Sequence, residues 1–153
     1  MSTSLIIRPA ELDDFTQWKM LWSGYNEFYG RVGSTALPDE IVMSTWKRFL
    51  DPSEPMQCLI AEENGQMVGL AHFIFHHNTI TIESTCYLQD LFTDPRMRGK
   101  GIARALISAF ADKAKAEGTK SVYWHTHMTN KTAMKLYDKV AVNTEFVVYR
   151  KPL

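Results

Sequence analysis

The sequence predicts an α/β domain: a mixed, partly antiparallel central sheet flanked by helices. Three observations carry this. Asn64-Gly65 stands between two apolar runs and reads as the turn of an antiparallel hairpin. The apolar stretch 79–93 runs through Asp94-Pro95 and the glycines Gly99 and Gly101 straight into a helical pattern, the strand–turn–helix order of a parallel unit. Short β-rich and helical segments then alternate to the end of the chain.

The elements follow in order. Residues 5–8 form a first strand, which Pro9 ends. Asp13 or Asp14 caps the helix after it, where Phe15, Trp18, Trp22, Tyr25 and Tyr29 recur at helical spacing and give one face an aromatic character. Residues 30–38 are a loop broken by Gly33, Ser34 and Pro38. Residues 39–50 form a second helix with Ile41, Thr45/Trp46 and Phe49 on one side, ended by Asp51-Pro52-Ser53-Glu54-Pro55. The hairpin strands are 57–62 and 67–75, and residues 79–93 are the long central strand. The helix over 99–117 stops at Gly118. Residues 121–127 are a strand, 130–141 a helix, and 145–151 a last strand. The order β-α-α-β-β-β-α-β-α-β fills a single domain, 1–153, with neither repeats nor low-complexity tracts.

Composition excludes several classes. Lysine plus arginine (17) balance aspartate plus glutamate (17), so no global field draws the chain to nucleic acid or to a membrane. Recognition of a cationic substrate must come from local acidic groups. The two cysteines, Cys58 and Cys86, have no framework spacing, which suits a reducing, cytoplasmic setting. The N-terminal residues lack a charged n-region and a long apolar h-region, and no stretch reaches the length of a membrane span.

Arg98-Gly99-Lys100-Gly101-Ile102-Ala103 carries the chemistry. A strand, a Gly-rich turn and a helix N-terminus make a site for anionic phosphate: backbone approaches closely, unpaired N–H groups point outward, and the helix dipole favours negative charge. It is not a Walker A loop, because Gly101 rather than Ser or Thr follows Lys100. It is not a Rossmann fingerprint either. Arg104 stands where the third glycine belongs, and the loop lies too late in the domain.

The pattern Arg98-x-x-Gly101-x-Ala103 resembles the pyrophosphate loop of the GCN5-related N-acetyltransferases, which bind acetyl-coenzyme A. Residues 87–93, Tyr-Leu-Gln-Asp-Leu-Phe-Thr, resemble that family's central strand. Asn130-x-x-Ala133-x-x-Leu136-Tyr137-x-Lys139 resembles its next helix, in matching order and spacing. The resemblance covers nearly the whole chain. It implies the acetyltransferase fold, acetyl-coenzyme A as co-substrate, no metal, and transfer of acetyl to a primary amine by direct attack in a ternary complex. A small amine or polyamine comes first as acceptor, then a protein or peptide amine; the rival of another class is a non-catalytic coenzyme A-binding module.

Residue roles follow from the resemblance. Backbone N–H groups from Gly99 through Lys100, Gly101, Ile102, Ala103 and Arg104 hold the pyrophosphate, with charge from Arg98 and Lys100. The backbone of Leu91, Phe92 and Thr93 pairs with the pantetheine arm and aims an N–H at the thioester oxygen. Tyr137 protonates the leaving thiolate, and Asn130 caps its helix and bonds the pantetheine. Some polyamine-type relatives carry Glu-Asp where this chain has Gln89-Asp90. Asp90 is therefore the candidate base, with Glu83, Glu27 or a water chain behind it. Tyr25, Glu27 and Tyr29 are the candidate acceptor contacts through cation–π and ion pairing.

Other residues read as structure. Cys86 is a strand cysteine without an obvious paired histidine, and His125-x-His127 lacks a third ligand for a metal. His76-His77 mark a hairpin end, and Lys113, Lys115 and Lys120 a solvated face. One departure from the family matters. Only about a dozen residues follow Ala141, enough for one strand instead of two, and Val140-Ala141-Val142 replaces an expected glycine. A sheet edge left incomplete in this way predicts a homodimer.

Overall fold

A computed structural model describes residues 4–153. Five strands lie in chain order across one sheet: β1 (Leu5–Pro9), β2 (Met56–Glu63), β3 (Gln66–His76), β4 (Thr85–Thr93) and β5 (Val122–Tyr123). The first four pair antiparallel, and β5 joins β4 in parallel. Asn64 (φ 52°) and Gly65 (φ 77°) make the β2–β3 turn, left-handed at both central positions as a tight hairpin needs.

Helices α1 (Phe15–Phe28) and α2 (Asp39–Leu50) cover one face. Trp18, Trp22, Tyr25, Val42, Trp46, Ile60, Leu70 and Phe92 form the core there. Helix α3 (Ile102–Ala116) covers the other face, burying Leu106, Ile107, Phe110 and Ala114 against Leu59, Ala71, Phe73, Cys86 and Leu88. Leu136, Tyr137 and Val140 of α4 (Lys131–Val140) pack on the margin of this second core. Gly69 of β3 allows α3 to sit close: a Cβ there would lie 3.1 Å from Ile102, Leu106 and the Phe92 carbonyl.

Four expectations are corrected. Asp14 stands before α1, but its carboxylate takes the Arg8 guanidinium (2.7 and 2.8 Å) and the Glu11 N–H (2.7 Å) in place of a helix N–H. β4 begins at Thr85 rather than 79, because Asn78 Oδ1 accepts the N–H groups of Ile80 and Thr81 (both 2.9 Å) and turns the chain. β5 is two residues long and pairs only Cys86 with Val122 and Tyr87 with Tyr123 before the strands diverge. The last strand, 145–151, does not form. Residues 142–153 carry neither strand nor helix, and Phe146, Val147, Val148 and Tyr149 are exposed.

Gly69→Ala should lower stability by about 1–3 kcal/mol, because the added methyl meets a backbone carbonyl as well as movable side chains. Urea denaturation checks this; an unchanged midpoint would show that α3 shifts without cost.

Candidate active site

The site lies where β4 leaves β5. β4 continues to Thr93 with one edge on β3 (Leu91 opposite Ala71, Phe92 opposite Leu70, Thr93 opposite Gly69). Its other edge pairs with β5 only as far as Tyr87, so the backbone from Leu88 to Thr93 is open on that side. The β3 register slips between His72 and Phe73, leaving Gln89 as the extra residue of a bulge that turns the strand locally. The hydroxyl of Thr93 is buried there without a hydrogen-bond partner within the protein.

Beyond Thr93, the Asp94 N–H bonds the Val68 carbonyl (2.8 Å), and Asp94 Oδ1 accepts the Arg96 N–H (3.0 Å). These bonds anchor the loop. Gly99 and Gly101 both have φ 80°, and Gly101 stands immediately before α3. Side chains rarely adopt that conformation. The bond from Ala105 N–H to the Gly101 carbonyl (3.0 Å) opens the α3 ladder, so the N–H groups of Ile102, Ala103 and Arg104 precede it without intrahelical partners. The first turn holds no acidic residue. Arg98 lies over the Phe92 ring (5.6 Å), and Lys100 is exposed on the same loop. The whole is a backbone cradle of positive potential, fitted to a pyrophosphate. The open strand edge and the orphaned Thr93 hydroxyl beside it suit an amide-bearing arm such as pantetheine.

Asn130 Oδ1 accepts the Ala133 N–H (3.3 Å) and caps α4, one of its two expected roles. Seven residues on, the Tyr137 ring meets Trp124 edge-on (5.4 Å). Burial, and then the neighbouring Tyr29, raise the Tyr137 phenol above its usual value, so it stays protonated at neutral pH.

Asp90 is less suited to act as the base. Its Oδ2 accepts from His72 Nδ1 (2.8 Å) and Trp22 Nε1 (3.2 Å). Burial alone would raise its pKa, but the hydrogen bonds from His72, Tyr25 and Trp22 outweigh burial and lower it. A carboxylate held this way accepts a proton poorly at neutral pH. Trp18 Nε1 in turn donates to His72 Nε2 (2.9 Å), which assigns the ring proton to Nδ1. The chain Trp18–His72–Asp90–Trp22 thus fastens α1 to β3 and β4.

The three expected acceptor contacts separate. Tyr25 is buried against β4, its hydroxyl 3.5 Å from the Gln89 carbonyl, and burial followed by the Asp90 charge raises its pKa. Tyr29 packs on Tyr25 (4.9 Å) and stacks near His127 (6.2 Å). Glu27, half a helical turn away, lines a different feature: a cleft of about 310 Å³ between α1, the following loop and α2, shared with Lys19, Trp22, Arg31 and Asp39. Cys58 and Cys86 are buried, and burial raises both thiols, Cys86 to about 12, which leaves neither a nucleophile. Among the described residues no group of three His, Cys, Asp or Glu side chains could hold a metal.

His72, Arg31 and the hydrogen-bonding role of Trp18 and Trp22 are not among the residues expected from the sequence. His72 had a signal: a histidine inside the apolar run Leu70-Ala71-His72-Phe73-Ile74 calls for a buried partner.

Comparison with known proteins agrees with this geometry. The model of the acetyltransferase (GNAT) family matches residues 18–141. The chain belongs to that family and is an acetyl-coenzyme A-dependent acyltransferase. It is 34% identical to the D-amino-acid N-acetyltransferase HPA3 of Saccharomyces cerevisiae, across 96% of this chain and 90% of that one. It is 30% identical to the uncharacterized N-acetyltransferase YhfO of Bacillus subtilis, across 94% of each. The fold matches the aminoglycoside N-acetyltransferase AAC(6')-Iy in complex with CoA at a TM-score of 0.83, covering 99% of this chain and 97% of that one at 18% identity.

Acetyl-coenzyme A should stabilise the fold by about 2.7 kcal/mol at a hundredfold excess over its Kd, whereas ATP and NAD should not. Gly101→Asp, which puts a side chain and a like charge against the cradle, should abolish most of the thermal shift. An undiminished shift in that variant would remove the loop from the binding site.

Proposed function

We propose that the protein transfers acetyl from acetyl-coenzyme A to a small primary amine by direct attack in a ternary complex. The observation that carries this is the parting of β4 from β5, which opens a strand edge between the α3 cradle and the aromatic end of α1. The amine nitrogen attacks the thioester carbonyl. Its C–N bond forms as the C–S bond breaks, an N–H of the Leu91–Thr93 edge stabilises the developing oxyanion, and Tyr137 gives its proton to the thiolate. An acceptor bound as ammonium first loses one proton to water, which frees the lone pair, and the proton lost by nitrogen after attack returns through water to Tyr137. Asp90 keeps a fixed negative charge behind Trp22 and Tyr25 and favours an ammonium group in the site. A small-molecule acceptor accords with the D-amino acids named for HPA3. The buried, free cysteines accord with a cytoplasmic setting.

The C-terminal segment supports a homodimer. Phe146 and Tyr149 are 90% and 92% exposed, Val147 and Val148 lie between them, and the sheet ends at the two-residue β5. An unpaired apolar segment, together with a two-residue edge strand, fits exchange or edge pairing with a second copy.

Tyr137→Phe should reduce turnover by about 10²–10⁴-fold and weaken acetyl-coenzyme A binding much less. Steady-state kinetics beside a thermal shift separate the two; turnover within twofold of wild type would end the assignment. Light scattering should give a dimer mass at micromolar concentration, and truncation after Asn143 a monomer. A monomeric full chain would refute the segment's role.

A further inference from the structure

We propose that the acceptor is a zwitterionic amino acid and that Arg31 anchors its carboxylate. This rests on the proposed acetyl transfer to a small primary amine, with Arg31 lying between the α1–α2 cleft and the aromatic end of α1. Arg31 follows α1 and is fixed before any ligand arrives. Its backbone N–H bonds the Asn26 carbonyl (2.8 Å), and its Nε–H bonds Asn26 Oδ1 (2.8 Å), with Asn26 itself buried. The guanidinium carbon lies 5.5 Å from the Tyr29 ring and 5.8 Å from the Tyr25 ring. The Nε is thereby used, and the two terminal nitrogens remain as a planar fork.

Burial and charge pairing together single this residue out, since the other unpaired arginines, Arg48, Arg98, Arg104 and Arg150, are exposed. Arg8, equally half-buried, is paired with Asp14 and Glu62, and exposed Arg96 with Asp94. Arg31 is half-buried and, among the described residues, has no carboxylate within ion-pair distance. A partly desolvated guanidinium without a counter-charge is costly unless an anion completes it. The start of α3 offers its own cradle to a pyrophosphate, so the Arg31 fork is open to a second anion.

The cleft's other charges limit what that anion belongs to. Lys19 and Asp39 lie 3.9 Å apart across α1 and α2 and offset each other. Glu27 and Arg31 remain, one of each sign. A polyamine carries only positive charge and would meet Arg31 with repulsion. An amino acid offers a carboxylate for bidentate contact with the fork and an ammonium for the acidic side. Arg31 also reaches the chemistry through one ring: Tyr29, on which it lies, is close enough to Tyr137 to raise its pKa and stacks near His127. A carboxylate held at Arg31 would orient the amine relative to the thioester, beyond adding affinity.

The test compares acceptors that differ only in the carboxylate: phenylalanine, in each enantiomer, against phenethylamine. The readout is coenzyme A release by the purified full chain. The wild type should favour one phenylalanine enantiomer over phenethylamine in kcat/KM by at least about tenfold. Arg31→Gln should lower that preference by about ten- to hundredfold, mainly through KM, and Arg31→Lys should retain an intermediate preference. An acetyl-coenzyme A thermal shift equal to wild type verifies that each variant is folded. A preference unchanged in Arg31→Gln, or a wild type that favours phenethylamine, would overturn the proposal while leaving acetyl transfer intact. Absence of coenzyme A release with every amine would overturn the acetyl-transfer reading and this proposal with it.

Discussion

The parting of β4 from β5 is the constraint on which the rest depends. A parallel pair that ran its full length would satisfy the strand edge and leave nothing for a ligand to bond. Here the pair ends at Tyr87 and Tyr123, and the β4 backbone goes on alone to Thr93. The divergence is possible because each strand is held from another side. β4 keeps its antiparallel partner β3, and the chain after β5 is tied by Trp124 against Tyr137 and by the Asn130 cap. The bulge at Gln89 adds twist at the same place. Gly69 then lets α3 settle against the end of β4, so the helix's free N–H groups adjoin the free strand edge.

A second layer holds this opening rigid. The polar chain Trp18–His72–Asp90–Trp22 crosses from α1 to two strands within an aromatic core. Its buried polar atoms are mutually satisfied, so the chain gains specificity without leaving an orphan. It also decides what Asp90 can do. The donors that make it a fixed anion remove it as a proton acceptor, and its electrostatic effect passes through the indole of Trp22 and the phenol of Tyr25. The same residue therefore places a fixed negative charge behind Trp22 and Tyr25, although nothing about an aspartate on a central strand announces this.

Local signals in the sequence marked what local physics determines. α2 spans 39–50 as its periodicity and the Pro-rich stop predict. Asn64-Gly65 forms its hairpin turn, and the two loop glycines take the left-handed conformation. Non-local facts were hidden. The length of β5 depends on where β4 pulls away, and the fate of 145–151 depends on whether an edge exists for it. Asp14 competes between a helix N–H and Arg8, and only the approach of β1 to α1 decides the outcome. Tyr25 and Tyr29 share a face because they are four apart on α1. Glu27, two positions from either, had to lie elsewhere, and helical geometry alone required that separation.

Net charge illustrates how far composition reaches. A formal charge of zero excludes steering by a global field, yet leaves every local arrangement open. Arginines of the same formal charge serve different ends in this chain. Arg8 closes β1 onto α1 and β2 through two carboxylates, and Arg98 lies on Phe92 at the pyrophosphate cradle. Arg31 is immobilised by Asn26 and two tyrosines, with no carboxylate among the described residues to complete it. What distinguishes them is the number of their N–H groups that the fold itself satisfies. In Arg31 it satisfies the Nε and leaves the terminal fork, in a cleft that also presents Glu27 and a paired Asp39.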